Sequence, residues 1–405
     1  MWRGLWRAAV AALALFATVP TVGAAQAVNI RTERDAKATA ARYKAMSANQ
    51  RRAAFDEWAV ANNITYATAA ASGQAFKNWN ANADAMVAHN QRSGNKFFLG
   101  VGPYADMTNA QFVDIVLMKW PERDLRDAPP EREFRPHGRT VPPPELDWRT
   151  LVTLPPVRNQ KNCGSCWAFA GIGAMEIAAV VNDVYLTPDQ SEQQALDCVT
   201  GANGYWSSGC SGGYSDDVLN YASTPRFFVP EYVSPYLANS TGRTCSPALY
   251  SYPSYGSMSM PASPTPRWTK VASDASSLMA AVATGPVIVY LYASSMGAYA
   301  GGIFQASGCN TTAINHAVVV VGYNATAGVG SPESYWVIRN SWGASWGEGG
   351  YLRLQMLNNT VGACGMYDAG AMFLPAVPIV PANQPPAPPD RKSTRLNSSH
   401  VSESR

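Results

Sequence analysis

The chain has 405 residues, of which 47% are hydrophobic and 15% are charged, and its formal net charge is +3. This length and composition predict a globular protein with one large or two ordinary domains and substantial cores. So small a charge excess leaves no electrostatic footprint for nucleic acid, and we expect no partner of that kind.

Residues 1–27 have the pattern of a secretory signal peptide. Arg3 and Arg7 precede a short apolar stretch from Ala8 to Val19, and small residues follow up to Ala27. The alternative is a buried first helix. The stretch is too short to span a membrane, and no later run of about 18 apolar residues occurs. We therefore expect no membrane partner and a secreted protein, or one in a lysosome-like or vacuole-like compartment.

Residues 28–120 are predicted to form a small helical unit. The sequence is rich in Ala, Lys, Arg, Gln and Asn, with an apolar stripe typical of helices: Phe55, Trp58, Phe76, Trp79, Met86 and Val87. In GVGPYADMTNAQF, Thr108 is placed to cap a further helix. Residues 121–141 are polar and proline-rich, which predicts a linker.

A second unit is predicted over residues 142–372, with helices first and strands later. A helix is entered at CGSCW, and loops rich in Gly, Ser and Tyr follow. β-Branched and aromatic runs then predict strands at 286–293, 316–323, 334–342 and 351–356. Helices followed by strands predict an α+β fold.

Residues 373–405 form a proline-rich tail, and the stretch from Pro375 onward is not expected to pack. Asp390 to His400 matches the translation of a common sequencing-library adapter. We therefore attribute residues 390–405 to that adapter and leave them out of the reasoning about the fold.

Seven cysteines lie in the second unit, and an odd number leaves one thiol unpaired in an oxidising compartment. No further Cys or His pair at close spacing supports a zinc site, and a thioredoxin-like redox pair needs a reducing compartment. No metal or cofactor is therefore expected. A disulfide framework explains six cysteines and leaves the seventh.

The second unit contains a single histidine, His316, which begins a predicted strand. A lone histidine is more often structural than catalytic. Here, however, an activated thiol would have only this imidazole as its base. Asn340 follows on the next predicted strand, and His316 lies 150 residues after Cys166. This order and spacing are typical of papain-like enzymes.

Five blocks of the second unit together resemble the papain family of cysteine proteases, in its cathepsin L-like form. They are QKNCGSCWAF, QSEQQALDC, GCSGG, NHAVVVVGY and YWVIRNSWGASWGEGGY. The resemblance implies a papain-like two-lobe α+β fold, with a helical left lobe and a β-barrel-like right lobe. It also implies a zymogen in which a small helical prodomain precedes the peptidase.

The resemblance implies a role for each motif residue. Cys166 would be the nucleophile at the start of a helix, and His316 its base. Asn340 would orient His316, Trp342 would shield their hydrogen bond, and Gln160 would donate to the oxyanion. The implied disulfides are Cys163–Cys210, Cys198–Cys245 and Cys309–Cys364.

The substrate-binding residues implied by the resemblance include Gly212 and Gly213, which would let an extended substrate backbone approach. Trp346 would line the leaving-group side. The positions that match the S2 pocket are uncharged, which favours a hydrophobic P2 residue and disfavours Arg: Tyr214, Tyr290, Ile314, Ala317 and Ala369. The alternative is that Tyr290 and Ile314 only fill the core.

The helical unit resembles the inhibitory propeptide of the family. Two motifs carry this resemblance. The first consists of Trp79, Asn82, Met86 and Asn90, and the second of Gly100, Tyr104 and Asp106. Gly102 departs from the second motif, which has Asn at this position. Such a propeptide would run backwards through the cleft until it is removed. Activation cleavage is expected in the linker, near Thr140 to Pro144.

The expected function is a secreted or lysosomal cysteine endopeptidase, because no cleft-capping insertion occurs between Cys198 and Cys245. The expected partners are protein or peptide substrates, the chain's own propeptide and cystatin-like inhibitors, and the enzyme should be a monomer. Five sequons predict a glycoprotein: Asn63, Asn239, Asn310, Asn324 and Asn358. The rival hypotheses are a catalytically inactive binding protein and a disulfide scaffold that shares only the fold.

Overall fold

The fold was analysed in a computed structural model that describes residues 30–119, 132–135, 141–184, 188–223, 226–246, 253–254, 256–262, 265–367 and 372–381. The predicted signal peptide, most of the linker, Ala369 and the adapter-like segment lie outside these ranges. No helix within them is long and apolar enough to cross a membrane.

The N-terminal unit consists of α1 (Glu33–Ala45), α2 (Ala48–Ala61), α3 (Ala69–Asn90) and α4 (Asn109–Ile115). Ser or Thr caps each helix, and the side chain of Thr108 accepts from the Gln111 amide as the sequence predicted. The predicted apolar stripe forms the core between α2 and α3, where Phe55, Trp58 and Trp79 are buried. This unit is therefore helical, as expected.

Five helices belong to the second unit within the described ranges. They are α5 (Trp148–Leu151), α6 (Cys166–Val181), α7 (Glu192–Cys198), α8 (Ser215–Tyr221) and α9 (Ala275–Val282). Fifteen of the sixteen residues of α6 are buried, from Cys166 to Val180. A helix that is apolar on every side has to lie inside the molecule. It packs against α7 and α8 on one side and against the sheet on the other.

The strands lie mostly in the C-terminal half. They are β1 (Phe97–Leu99), β2 (Glu145–Asp147), β3 (Trp268–Lys270), β4 (Val287–Leu291), β5 (Tyr299–Phe304), β6 (His316–Asn324), β7 (Tyr335–Arg339), β8 (Tyr351–Gln355) and β9 (Phe373–Pro375). The order is β1-β5-β8-β7-β6-β4-β9-β3, with β2 beside β6. All four predicted strands are present as β4, β6, β7 and β8, and the α+β class is confirmed.

The C-terminal boundary and the cysteine pairing of the second unit can both be compared with the predictions. Strand β9 pairs with β3 and β4, so the sheet continues three residues past the predicted domain end at 372. Three disulfides join the same cysteines that the resemblance implied: Cys163–Cys210, Cys198–Cys245 and Cys309–Cys364. Cys166 is the one free cysteine.

Candidate active site

The free cysteine lies where the helical and β halves meet. Cys166 is the first residue of α6, it is fully buried, and its Sγ accepts a hydrogen bond from the Ala317 amide at 3.4 Å. Ala317 follows His316 at the start of β6. The packing of α6 against β6 therefore brings together Cys166 and His316, which are 150 positions apart in sequence.

The ring of His316 is held by Asn340, which follows the end of β7. Its Nε2 lies 2.8 Å from Asn340 Oδ1, which also accepts from the Ser341 amide at 2.7 Å. Because Oδ1 is a pure acceptor, Nε2 carries the proton, and the lone pair of the neutral ring is on Nδ1. Nδ1 is buried and has no hydrogen-bond partner among the described residues. This nitrogen is thus available as a base.

Two tryptophans cover one side of this pair. The Trp342 ring lies 4.6 Å from the His316 ring, centroid to centroid, and meets Trp346 edge-on at 4.8 Å. Both indoles are fully buried. They form an apolar wall beside the hydrogen bond between His316 and Asn340.

The buried side chain of Gln160 is fixed at both ends. Its Oε1 accepts from Ser341 Oγ at 2.6 Å, so the amide is oriented with Nε2 as the donor. Nε2 donates at 2.8 Å to the carbonyls of Cys163 and Val116. Val116 belongs to the N-terminal unit. One carbonyl of that unit therefore already accepts a hydrogen bond from Gln160 Nε2, the donor that was predicted to bind an oxyanion.

The segment from Tyr104 to Lys119, which includes α4, fills the cleft between the two halves. The rings of Tyr104 and Phe112 lie 5.9 and 5.3 Å from the Trp342 ring. Further along, the Met118 amide donates to Asn315 O at 3.1 Å and the Lys119 amide to Ser211 O at 3.0 Å. The segment therefore passes from the tryptophans, over Gln160, to the edge formed by Ser211 and Gly212.

Gly212 and Gly213 lie at this edge, where side chains would collide with their neighbours. A Cβ on Gly212 would come within 2.4 Å of Lys119 O, and its φ is +130°. A Cβ on Gly213 would come within 2.6 Å of both Ser207 and Trp167. Glycine at position 212 therefore allows a backbone, here that of Lys119, to approach closely. The neighbours of Gly213 are the side chains of Ser207 and Trp167, so glycine at this position is required by packing within the second unit.

Of the five residues predicted to line the S2 pocket, four lie within the described ranges. Tyr214, Tyr290 and Ala317 are buried, and Ile314 is half-buried. Tyr290 pairs with Ala317 across β4 and β6, and its hydroxyl accepts from the Ser215 amide at 2.7 Å. Ala369 lies outside the described residues. All four described residues belong to or pack against the apolar cluster that contains Met118 and Cys166.

Burial sets the electrostatics of the site while the N-terminal unit occupies the cleft. Desolvation raises the pKa of the Cys166 thiol to about 12, against smaller opposing effects of nearby backbone amides. Desolvation also lowers the pKa of His316 to about 4, although the hydrogen bond to Asn340 acts in the other direction. In this state both groups are neutral across the middle of the pH range.

The predicted propeptide motifs hold the chain that enters the cleft. Asn82 Nδ2 donates to the carbonyls of Ala105 and Met107 at 2.7 and 2.8 Å. Asn90 exchanges two hydrogen bonds with the backbone of Leu99 in β1. Asp106 Oδ2 accepts from the Tyr66 hydroxyl at 2.8 Å, and burial raises the pKa of its carboxyl.

Sequence reasoning missed three residues that contact the site. Ser341 joins Gln160 to Asn340, while Ser165 and Tyr236 hydrogen-bond to each other beside α6. Ser341 lies inside the NSW motif and could have been found there. Tyr236 lies in a loop with no motif, so no sequence signal pointed to it. No cluster of three metal-ligating side chains occurs in the part of the chain that the structure describes.

Comparison with known families gives two matches. Residues 142–373 match the description "Papain family cysteine protease", and residues 55–112 match "Cathepsin propeptide inhibitor domain (I29)". The two matches fall on the two units of the fold.

Individual proteins agree with these matches. "Probable cysteine protease RDL2" of Arabidopsis thaliana is 32% identical over 77% of this chain and 82% of its own length. Fruit bromelain of Ananas comosus is 31% identical, over 77% and 83%. Among solved structures, the recombinant stem bromelain precursor has a TM-score of 0.66 at 28% identity, covering 81% of this chain and 99% of its own. Digestive procathepsin L 3 of Tenebrio molitor has a TM-score of 0.66 at 26% identity, over 82% and 100%.

Proposed function

The chain belongs to the papain family of cysteine proteases and carries the inhibitory propeptide domain of that family, and from this premise we propose that it is an endopeptidase whose nucleophile is Cys166. The observation that carries the proposal is the unpartnered Nδ1 of His316, fixed by Asn340, on the strand whose next amide contacts Cys166 Sγ. A thiol, a base and an orienting amide are thereby adjacent in space.

The proposed reaction passes through an acyl-enzyme. In the open enzyme, His316 Nδ1 takes the thiol proton, and Cys166 Sγ attacks the carbonyl carbon of the substrate. The oxygen becomes negative and is stabilised by Gln160 Nε2 and the N-terminus of α6. The C–N bond breaks, His316 returns the proton to the leaving amine, and water then hydrolyses the thioester.

The segment from Val116 to Lys119 supports inhibition of the zymogen by its own propeptide. It uses the donor intended for the oxyanion and the backbone edge intended for substrate. We place the activating cut in the linker near Thr140 to Pro144, just before β2. A chain made in this form would enter the secretory pathway and act outside the cell or in a lysosome-like compartment.

A hydrophobic P2 residue is the proposed preference. The supporting observation is that the described pocket residues are uncharged and share an apolar cluster with Met118, the propeptide residue at that point of the cleft. Ala369 is included in the proposed pocket on the basis of the sequence alone. Action as a monomer and inhibition by cystatin-like proteins are further parts of the proposal.

Labelling of the thiol in the processed enzyme tests the proposal. The refolded proenzyme is acidified, mixed with a peptidyl-epoxide thiol reagent and mapped by mass spectrometry, while turnover of fluorogenic peptides with Phe or Arg at P2 is followed. We expect stoichiometric labelling of Cys166, parallel loss of turnover, and faster turnover of the Phe substrate.

The matched control is Cys166→Ser, which keeps the size of the side chain and removes the thiolate. It should fold, remain unprocessed and take up no label. If Cys166 stays unlabelled in a folded, processed wild-type chain, the protease proposal is wrong and an inactive binding protein becomes the better explanation. Faster turnover of the Arg substrate would overturn the P2 proposal alone.

A further inference from the structure

Tyr236 lies in the loop after α8 and reaches the start of α6. Its hydroxyl donates to the backbone carbonyl of Gln160 at 2.8 Å and lies 2.7 Å from Ser165 Oγ. A hydroxyl has one proton, and here Gln160 O accepts it. Ser165 must therefore donate to the Tyr236 oxygen.

The loop fixes the position of this ring independently of the site. The Tyr236 amide donates to Glu231 Oε1 at 2.7 Å. The ring meets Phe169, on the first turn of α6, edge-on at 4.9 Å between centroids. With its backbone and its ring both held, the hydroxyl has little freedom to follow a movement of Gln160 or Ser165.

Ser165 behaves unusually for the residue that precedes a helix. A serine at this position normally accepts a hydrogen bond from the first turn with its side chain. Ser165 makes no such bond, and its hydroxyl is turned to Tyr236 instead. The side chain of Ser165 therefore does not occupy the free amides in the first turn of α6. These amides remain available to stabilise an anion at Cys166.

We propose that Tyr236 is a positioning residue that sets the two oxyanion donors, Gln160 Nε2 and the first turn of α6, at a fixed separation. One hydroxyl is bonded to the backbone of the residue that supplies the first donor and to the residue that precedes the second. Ser341 fixes the orientation of the Gln160 amide, whereas Tyr236 fixes the place of its backbone.

This inference rests on the proposed protease function, and it predicts a selective defect. Donors aimed at an oxyanion act only when the carbonyl oxygen becomes charged, so their displacement lowers kcat without changing the thiolate. Alkylation of Cys166 by iodoacetamide takes place at a tetrahedral carbon and forms no oxyanion. The two reactions of one sulfur therefore report separately on the donors and on the pair of Cys166 and His316.

The test compares Tyr236→Phe with wild type in the acid-processed enzyme. We expect kcat for a fluorogenic peptide amide to fall about tenfold with KM nearly unchanged, since a shifted donor loses part of the 10²–10³-fold that a deleted donor loses. The alkylation rate of Cys166 and its pH profile should stay within about twofold. Tyr232→Phe is the matched control, because Tyr232 lies in the same loop and is 64% exposed.

An unchanged kcat in Tyr236→Phe would overturn the inference, and so would equal losses of kcat and alkylation rate, which indicate a general structural role. If Tyr236→Phe does not fold, Ser165→Ala breaks the same connection from the other end and is judged by the same two rates. A wild-type enzyme that is neither alkylated at Cys166 nor active would refute the protease proposal itself, which separates the two failures.

Discussion

The protonation states of Cys166 and His316 depend on what covers them. Burial raises the pKa of the thiol to about 12 and lowers the pKa of the imidazole to about 4. Between these values the zymogen has a neutral thiol beside a neutral ring, whereas a reactive cysteine of this kind needs the thiolate. With the N-terminal unit in the cleft, the thiol and the imidazole are therefore both neutral, and the donor on Gln160 already binds the Val116 carbonyl.

We therefore predict that the thiol is unreactive in the zymogen and reactive after processing. Between pH 5 and 9, iodoacetamide should label Cys166 in the processed enzyme at least about 100 times faster than in the intact chain, because the thiolate fraction falls tenfold per pKa unit. The measurement is the alkylation rate against pH. Equal rates in the two forms would show that propeptide burial does not control the thiol.

At the scale of elements, β1 is a strand that the propeptide adds to the edge of the peptidase sheet. It pairs antiparallel with β5, and Phe97 lies 4.6 Å from Phe304, ring to ring. A Cβ on Gly302 would come within 2.4 Å of Lys96 O, so glycine allows the approach. Pairing at a sheet edge combines main-chain hydrogen bonds with a pocket for one side chain.

Phe97→Ala should weaken this docking and speed activation. Losing part of a half-buried ring costs about 1–2 kcal/mol, which is a factor of roughly 5–30 in the docking equilibrium. We expect a correspondingly faster appearance of processed enzyme after acidification, measured on gels. Val60→Ala serves as control, because Val60 is on the exposed face of α2. Equal activation rates for Phe97→Ala and wild type would contradict a role for β1 in inhibition.

The strands also show which elements a sequence can predict. β4 and β6 are continuous apolar runs that lie inside the sheet, and their composition alone predicted them. β5 was missed because Gly301 and Gly302 interrupt its apolar pattern, and they are there to admit the propeptide. β1 is three residues long and is stabilised mainly by its partner strand. Local patterns therefore predict strands that are continuous apolar runs. They miss β5, which glycines interrupt, and β1, which is short and depends on its partner.

At the scale of the whole molecule, the same distinction applies to the site. Cys166, His316, Asn340 and Gln160 were found because each lies in a motif, and folding brings the four together. Tyr236 contacts residues 71 and 76 positions away, and no pattern around it signals this. The hydrogen bond from Gln160 Nε2 to the Val116 carbonyl likewise depends on how the two units pack. It could not be predicted from the sequence of either unit alone.

A buried carboxyl in α6 makes the stability of the whole chain depend on pH. Burial raises the pKa of Glu176 to about 7, although the Gln190 amide and the Arg158 and Arg339 charges act in the opposite direction. An unfolded chain releases this proton near its usual pKa of 4.5. Between about pH 4.5 and 7 the folded state therefore holds a proton that the unfolded state has lost, and stability decreases as pH rises through this window.

We predict that the titration of Glu176 destabilises the Cys166→Ala zymogen, which cannot process itself, by the equivalent of about 3 kcal/mol as the pH rises from 4.5 to 7. His316 acts in the opposite direction below about pH 6.5, because burial lowers its pKa to about 4. The contribution of Glu176 is therefore measured as the difference in Tm between this zymogen and its Glu176→Gln variant at each pH.

Glu176→Gln keeps an oxygen for the Gln190 amide and removes the titration. The Tm of the parent zymogen should therefore decrease relative to the Tm of this variant as the pH rises from 4.5 to 7. Burial also raises the pKa of Glu192, and this carboxyl acts in both the parent and the variant. Glu333→Gln, at an exposed ion pair with Lys96, should leave the pH dependence of the Tm unchanged. If the difference in Tm between the parent and Glu176→Gln does not change from pH 4.5 to 7, Glu176 is already ionised in the folded zymogen and the prediction is wrong.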